Sequence, residues 1–217
     1  MKKIFCLFMM CLAFAACNRD RNNNPFTNAK TAADERDLQG KNFTSECSLK
    51  PMDAVFTAIA TGFSASVKSS LEAYRFDGAN VTRMTRFYQS PDCSGDAAVN
   101  FEEMGDFNLH KDQQTADLGR AIDIDYHTLK VQTLTNEGVA AANAIGLCGI
   151  SDWSVNQQRD VTAQAKDVKC LGTPLPRHNA NIYRVDAGVL YLGASTANPT
   201  DPSQRPTSLS ATKYRAL

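Results

Sequence analysis

Ile122-Asp123-Ile124-Asp125-Tyr126-His127-Thr128-Leu129-Lys130-Val131-Gln132 is the stretch on which the fold class turns. Side chains along a β-strand alternate between two faces with a period of two. Ile122, Ile124 and Tyr126 therefore share one face, and Asp123, Asp125 and His127 share the other. Beyond Thr128 the apolar parity passes to Leu129 and Val131, against Lys130 and Gln132. A change of face within three residues requires a bulge or a tight hairpin near His127-Thr128. A strand with one greasy and one wet face belongs to a sheet buried on one side only.

The same reading extends outward in both directions. Residues 67–76 and 80–89 form two extended runs around Asp77-Gly78, a hairpin turn in which Gly supplies a positive φ. Ser90-Pro91-Asp92-Cys93-Ser94-Gly95 is a second turn cluster. Residues 97–109 make a further strand, with Val99 and Phe101 on one parity and Glu102 on the other. Residues 182–186 and 189–193 flank Ala187-Gly188 as a last hairpin, and residues 40–49 hold a short strand-like stretch around Phe43 and Thr44. Two minor helices are expected. Pro51 opens the Met52, Val55, Phe56, Ile59, Phe63 pattern, and residues 139–147 are Ala-rich and stop at Gly149. The tail carries Pro199, Pro202 and Pro206 and finishes in Leu209 and Tyr214. Seven or eight strands joined by successive turns, without a βαβ rhythm, predict a mainly β fold: an antiparallel barrel or a sandwich, in one domain spanning 38–217.

The chain has 217 residues, 43% hydrophobic and 21% charged, enough apolar material for a packed core. Lys plus Arg and Asp plus Glu both number 23, a balance that argues against nucleic acid as a partner. At the other extreme of composition stands the beginning of the chain. Lys2 and Lys3 precede a run from Ile4 to Ala16 with no charged residue. As a helix it would span about 20 Å, short of the ~30 Å hydrocarbon core, so it reads as the apolar region of a signal peptide.

That run ends Phe14-Ala15-Ala16-Cys17, and here the chain resembles bacterial lipoprotein precursors, whose lipobox sets small residues just before a cysteine. The resemblance implies removal of residues 1–16 and lipidation of Cys17, with diacylglycerol and an N-acyl chain such as palmitate. More than one chain is what stable anchoring takes. Asn18, where Asp would favour inner-membrane retention in enterobacterial relatives, leans toward the outer membrane. Residues 17–37 then read as a tether, with Asn22, Asn23, Asn24 and Pro25, and a root-mean-square reach of about 25 Å if it behaves as a coil. The order of elements also resembles lipocalin-like small barrels over residues 38–195, although Gly40-Lys41-Asn42-Phe43 has no Trp at the Gly-x-Trp spacing of that family.

Cys47, Cys93, Cys148 and Cys170 remain once Cys17 is assigned to lipid, an even number in an exported chain. Of three connectivities, Cys47–Cys93 and Cys148–Cys170 join neighbouring segments without interlacing. In the chain after residue 16, no C-x₂₋₄-C spacing supports zinc, and no C-x-x-C supports redox work.

The chain carries no phosphate-binding glycine loop, metalloprotease helix or nucleophile elbow, so no cofactor and no catalytic set are expected. Asp123, Asp125 and His127 are the sharpest constellation, weak candidates for a metal or for acid–base work, set against the plainer reading of a solvated strand face. Trp153, beside Cys148-Gly149, and Tyr126 are candidates for ligand contact; the plainer reading of Trp153 is a core plug at one barrel end. The expected protein is therefore non-enzymatic and lipid-anchored in the bacterial envelope. It would bind a small apolar ligand or an envelope component. The alternatives are an interaction protein without a cavity (adhesin, inhibitor or assembly factor) and, third, a metal-dependent hydrolase.

Overall fold

The computed structural model describes residues 37–49, 67–166, 170 and 174–217. The leader, Cys17, almost all of the tether and the helix expected from Pro51 to Phe63 lie outside them. Among the described residues nine strands form: β1 Asn42–Ser45, β2 Ser69–Asp77, β3 Asn80–Tyr88, β4 Ala97–Gln114, β5 Arg120–Thr133, β6 Gln158–Asp160, β7 Arg177–Asp186, β8 Val189–Leu192 and β9 Tyr214–Ala216. All pair antiparallel. Eight close on themselves in the order β1-β2-β3-β4-β5-β7-β8-β9, with β9 returning to β1, and β6 lies beside the far half of β5. The architecture is a closed barrel, not a sandwich.

The decisive stretch forms one continuous strand, and its change of parity is a bulge. Met104 pairs with Thr128 and Gly105 with Tyr126, so His127 has no opposite number. Gly105 is required there, because a Cβ would stand 2.1 Å from the Asp125 carbonyl oxygen. The bulge lets Ile122, Ile124 and Tyr126 face the interior together with Leu129 and Val131. The hairpin turns also form as the sequence implies. Ala187 and Gly188 both have positive φ, 49° and 78°, as a two-residue turn between twisted strands demands.

Several boundaries differ from expectation. β4 runs to Gln114 and β7 begins at Arg177, because barrel neighbours extend strands beyond their apolar runs. The helix α1 spans Asn136–Ile145 instead of 139–147: the Thr135 side chain accepts from the Gly138 N–H at its start, and Gly146 takes the left-handed conformation (φ 60°) that ends it. β9 was not expected at all, and it is the strand that closes the ring.

The end of the barrel where β4 begins and β5 finishes is cross-braced. Cys47–Cys93 and Cys148–Cys170 are both disulfide-bonded, with Cα atoms 5.8 and 4.2 Å apart. α1 and the turn Leu147–Gly149 cover this end, and Trp153 is tucked beneath them. Its backbone N–H donates to Asn143 at 2.6 Å and its indole N–H to the Leu147 carbonyl at 3.2 Å. Trp153 is therefore a buried plug residue, 3% exposed. On the outside, residues 194–213 form a strap across β5 and β7 that delivers the chain to β9.

Candidate functional site

Two polar clusters stand out, one inside the barrel and one outside. The inner cluster arises because the inward parity of four strands includes a charge. Glu72 shares its face with Tyr74 and Phe76, Arg83 with Val81 and Phe87, Glu103 with Val99 and Phe101, and Arg177 stands opposite Tyr126. The cross-strand rung of Tyr74, Arg83 and Glu103 is stacked between that of Phe76 and Val81 and that of Thr85 and Phe101. Arg83 is paired with Glu72 and also reaches Glu103 at 3.4 Å; Arg177 is paired with Glu103 and lies over the Tyr126 ring, 5.2 Å from its centre. Tyr214 donates its hydroxyl to Glu72, and Tyr74 reaches the same carboxylate at 3.4 Å.

Two carboxylates and two guanidinium groups are thus neutralised within the barrel, where each alone would be costly to bury. Burial pushes the phenols of Tyr74, Tyr126 and Tyr214 up from the ordinary tyrosine value, so all three remain neutral. Burial alone would lower the Arg83 guanidinium, but Glu72 above all reverses that and raises it. The Tyr126 hydroxyl, Thr85 Oγ1 and Arg177 Nη1 have no hydrogen-bond partner in the structure. Tyr126, singled out from sequence as a ligand contact, is 1% exposed and belongs to this interior network.

The outer cluster contains the sequence-predicted Asp123, Asp125 and His127. All three project outward as period two requires, but each has a different nearest partner. Asp123 accepts from Arg205 at 2.5 Å and is 2.6 Å from His110. Asp125 lies 2.8 Å from His178 Nδ1, whose other nitrogen is 3.8 Å from Asp123. His127 lies nearest the Thr128 hydroxyl and also faces Asp106 at 3.5 Å. The three do not converge. Among the described residues, no group of three or more His, Cys, Asp or Glu side chains is arranged to hold a metal ion.

Partial burial by itself would raise the Asp123 carboxyl, but hydrogen bonds from Arg205 and His110, backed by their charges, hold it below the ordinary aspartate value. Arg205 also donates to the carbonyls of Ile122 and Asn181, at 2.9 and 2.6 Å. One side chain of the strap thereby bridges β5 and β7. The chemistry here is that of a clasp: charged groups that fasten one segment onto another.

Two recesses open on the outside of the barrel among the described residues. A groove of about 330 Å³ runs over the outward face of β1 to β4, with Leu71, Ala73 and Met84 in its floor and Arg75, Arg86 and Glu102 around it. A smaller recess of about 160 Å³ is lined by Leu118, Arg120 and Arg184.

Sequence reasoning missed Glu72, Arg83, Glu103 and Arg177 as a set. The signal was present: Glu103 continues the parity of Val99 and Phe101, and Arg83 that of Val81 and Phe87, so opposite charges fall on facing strands. No family model matches the chain, and no curated protein matches it.

Proposed function

We propose that the mature chain is a lipid-anchored protein of the bacterial envelope that acts by binding other macromolecules, not by catalysis and not by carrying an apolar ligand in its barrel. One observation carries the choice among the sequence-based alternatives. The middle of the barrel is occupied by Glu72, Arg83, Glu103 and Arg177, all at most 6% exposed, and flanked by aromatic side chains. An apolar guest placed there would have to displace paired charges and leave them without water, at a cost no hydrophobic contact of that size offsets. The exposed surface of the barrel is then what remains for recognition. Two disulfides suit a compartment outside the reducing cytoplasm. The lipobox at Cys17 and the balanced charge suit a membrane-anchored protein without a nucleic-acid partner.

The anchor is tested by detergent-phase partition of the chain produced in a bacterial host. The wild type is expected in the detergent phase and Cys17→Ser in the aqueous phase; equal partition of both overturns the anchor. The barrel is tested separately on the Cys17→Ser protein by titration with a fluorescent long-chain fatty acid. No saturable one-to-one uptake is expected, and saturable uptake at micromolar concentration restores the carrier reading.

A further inference from the structure

The ring is closed very unevenly. β4 and β5 share thirteen register pairs and β2 and β3 share nine, whereas β1 makes three with β2, and β9 makes three with β1 and two with β8, the fewest of the ring. Beside these pairs, the Ala216 N–H donates to the Gly188 carbonyl and the Leu217 N–H to the Asn42 carbonyl, each at 2.9 Å. The strap before it is fastened independently. Arg205 is pinned to β5 and β7, Ala180 donates to the Pro199 carbonyl, and Ser210 donates to the Leu192 carbonyl. Between Ser210 and β9 the bonds are local: the Ser210 hydroxyl donates to Thr212 Oγ1 at 3.3 Å and the Thr212 N–H to Ser210 Oγ at 3.2 Å. These residues connect the fastened strap to a strand of three residues, and they would serve as the hinge of an exchange.

The slot that β9 fills is nevertheless selective. Tyr214 packs edge-on against Tyr74, with ring centres 5.3 Å apart, and delivers its hydroxyl to the buried Glu72 carboxylate. Its neighbour Arg215 pairs with Glu46 on the outside at 3.2 Å. An emptied slot would deprive Glu72 of a donor and expose the backbone edges of β1 and β8. Such an edge is refilled by a strand that supplies a tyrosine hydroxyl inward and a cation outward. The segment with that pattern on the page is Tyr214–Leu217 itself, and every copy of the chain carries one.

We propose that β9 is an exchangeable closing strand, and that the slot between β1 and β8 is a strand-acceptor site whose partner is the Tyr214–Leu217 segment of a second copy of this chain. The two copies meet seam to seam about a two-fold axis, each donating its segment to the other, as in an isologous exchange. The contacts inside each barrel are those of the single chain, so the balance between closed and exchanged forms is set by protein concentration and by the hinge. The inference rests on the seam and is independent of the lipid anchor.

Thr44 and Arg215 are opposite each other across this seam and face outward, which gives a direct test. Full-length chains bearing Thr44→Cys and full-length chains bearing Arg215→Cys, both on the Cys17→Ser background, are mixed and oxidised. Linkage between positions 44 and 215 is expected, read by peptide mapping, with a share that rises with concentration. Linkage of 44 only to 44 and 215 only to 215, or none, overturns the exchange. Hydrogen exchange on the otherwise unaltered Cys17→Ser chain gives a second reading that needs no substitution at the seam. Amides of β9 and of the facing edges of β1 and β8 should exchange at least about ten-fold faster than those between β4 and β5. Equal protection in the two places also overturns it.

Discussion

The inner and outer clusters both set carboxylates against basic side chains, arginine inside and arginine with histidine outside, yet they do different physical work. Inside, Glu103 is 1% exposed and both its arginine partners are almost wholly buried. Outside, Asp123 retains 18% side-chain exposure and Asp125 retains 63%. A buried ion cannot be rehydrated when its partner is removed, whereas a surface ion can. The comparison teaches that charge pairing in this barrel should be read by depth before it is read by distance. The 2.8 Å contact at Asp125 is shorter than the 3.4 Å contact between Arg83 and Glu103, and it is expected to matter far less.

The largest effect is expected from Glu103→Gln. Arg177 has no second carboxylate among the described residues, so this change strands its charge inside the barrel, while Arg83 still holds Glu72. A loss of about 3–5 kcal/mol is expected. In thermal unfolding that corresponds to a fall of roughly 6–20 °C for a domain of this size. Arg177→Met should be milder, because Glu103 keeps Arg83. The double variant should lie close to Arg177→Met alone, since the uncompensated guanidinium is gone. Additive losses in this cycle would show that the four groups do not act as one network.

Asp123→Asn comes next. The amide oxygen can still accept from Arg205, but the charge that balances Arg205 is lost, at a cost of about 1 kcal/mol. The effect depends on pH in a defined direction. Because the folded-state value of Asp123 is lowered, its contribution is complete above the ordinary aspartate value of about 3.9 and disappears as pH falls through the lower folded value. Urea unfolding of wild type and variant should differ at pH 7 and converge in acid. A gap that widens on acidification contradicts this assignment of the clasp.

What could be read from the sequence follows the same division by depth and by length. The long strands were legible because period two repeats often enough to be seen; the switch of parity between Tyr126 and Leu129 was legible too, but a bulge and a tight hairpin both fit it until the pairing with β4 decides for the bulge. β9 was not legible. Tyr214, Arg215 and Ala216 are too few to show a period, and they become a strand only because β1 and β8 present edges distant in sequence. The disulfide partners could be favoured by simple non-interlacing, and the bonds formed are those two. The outer cluster was half legible: the strand places Asp123 and Asp125 on one face, but Arg205 and His178 arrive from segments no local pattern connects to it. The inner network was the least legible, because a charge on the apolar parity of a single strand looks like a break in the pattern until the partner strands are known.

The smallest effect sharpens the comparison most. Asp125 lies two residues from Asp123 on the same face of the same strand, with an imidazole at hydrogen-bond distance, so sequence position and contact length alone would rank the two together. Depth ranks them apart. With 63% of its side chain in water, Asp125 already has most of the solvation that His178 could replace, and salt screens what attraction is left. Asp125→Asn is therefore expected to change unfolding free energy by no more than about 0.5 kcal/mol at low salt. The difference should vanish in about 0.5 M salt, where the screening length is only a few ångströms. Asp123→Asn, shielded by the strap, should keep most of its effect under the same conditions. Parallel urea titrations of the two variants at both salt concentrations decide the matter. Equal salt sensitivity would mean that Arg205 and the strap do not shelter Asp123, and that the clasp is a surface pair like its neighbour.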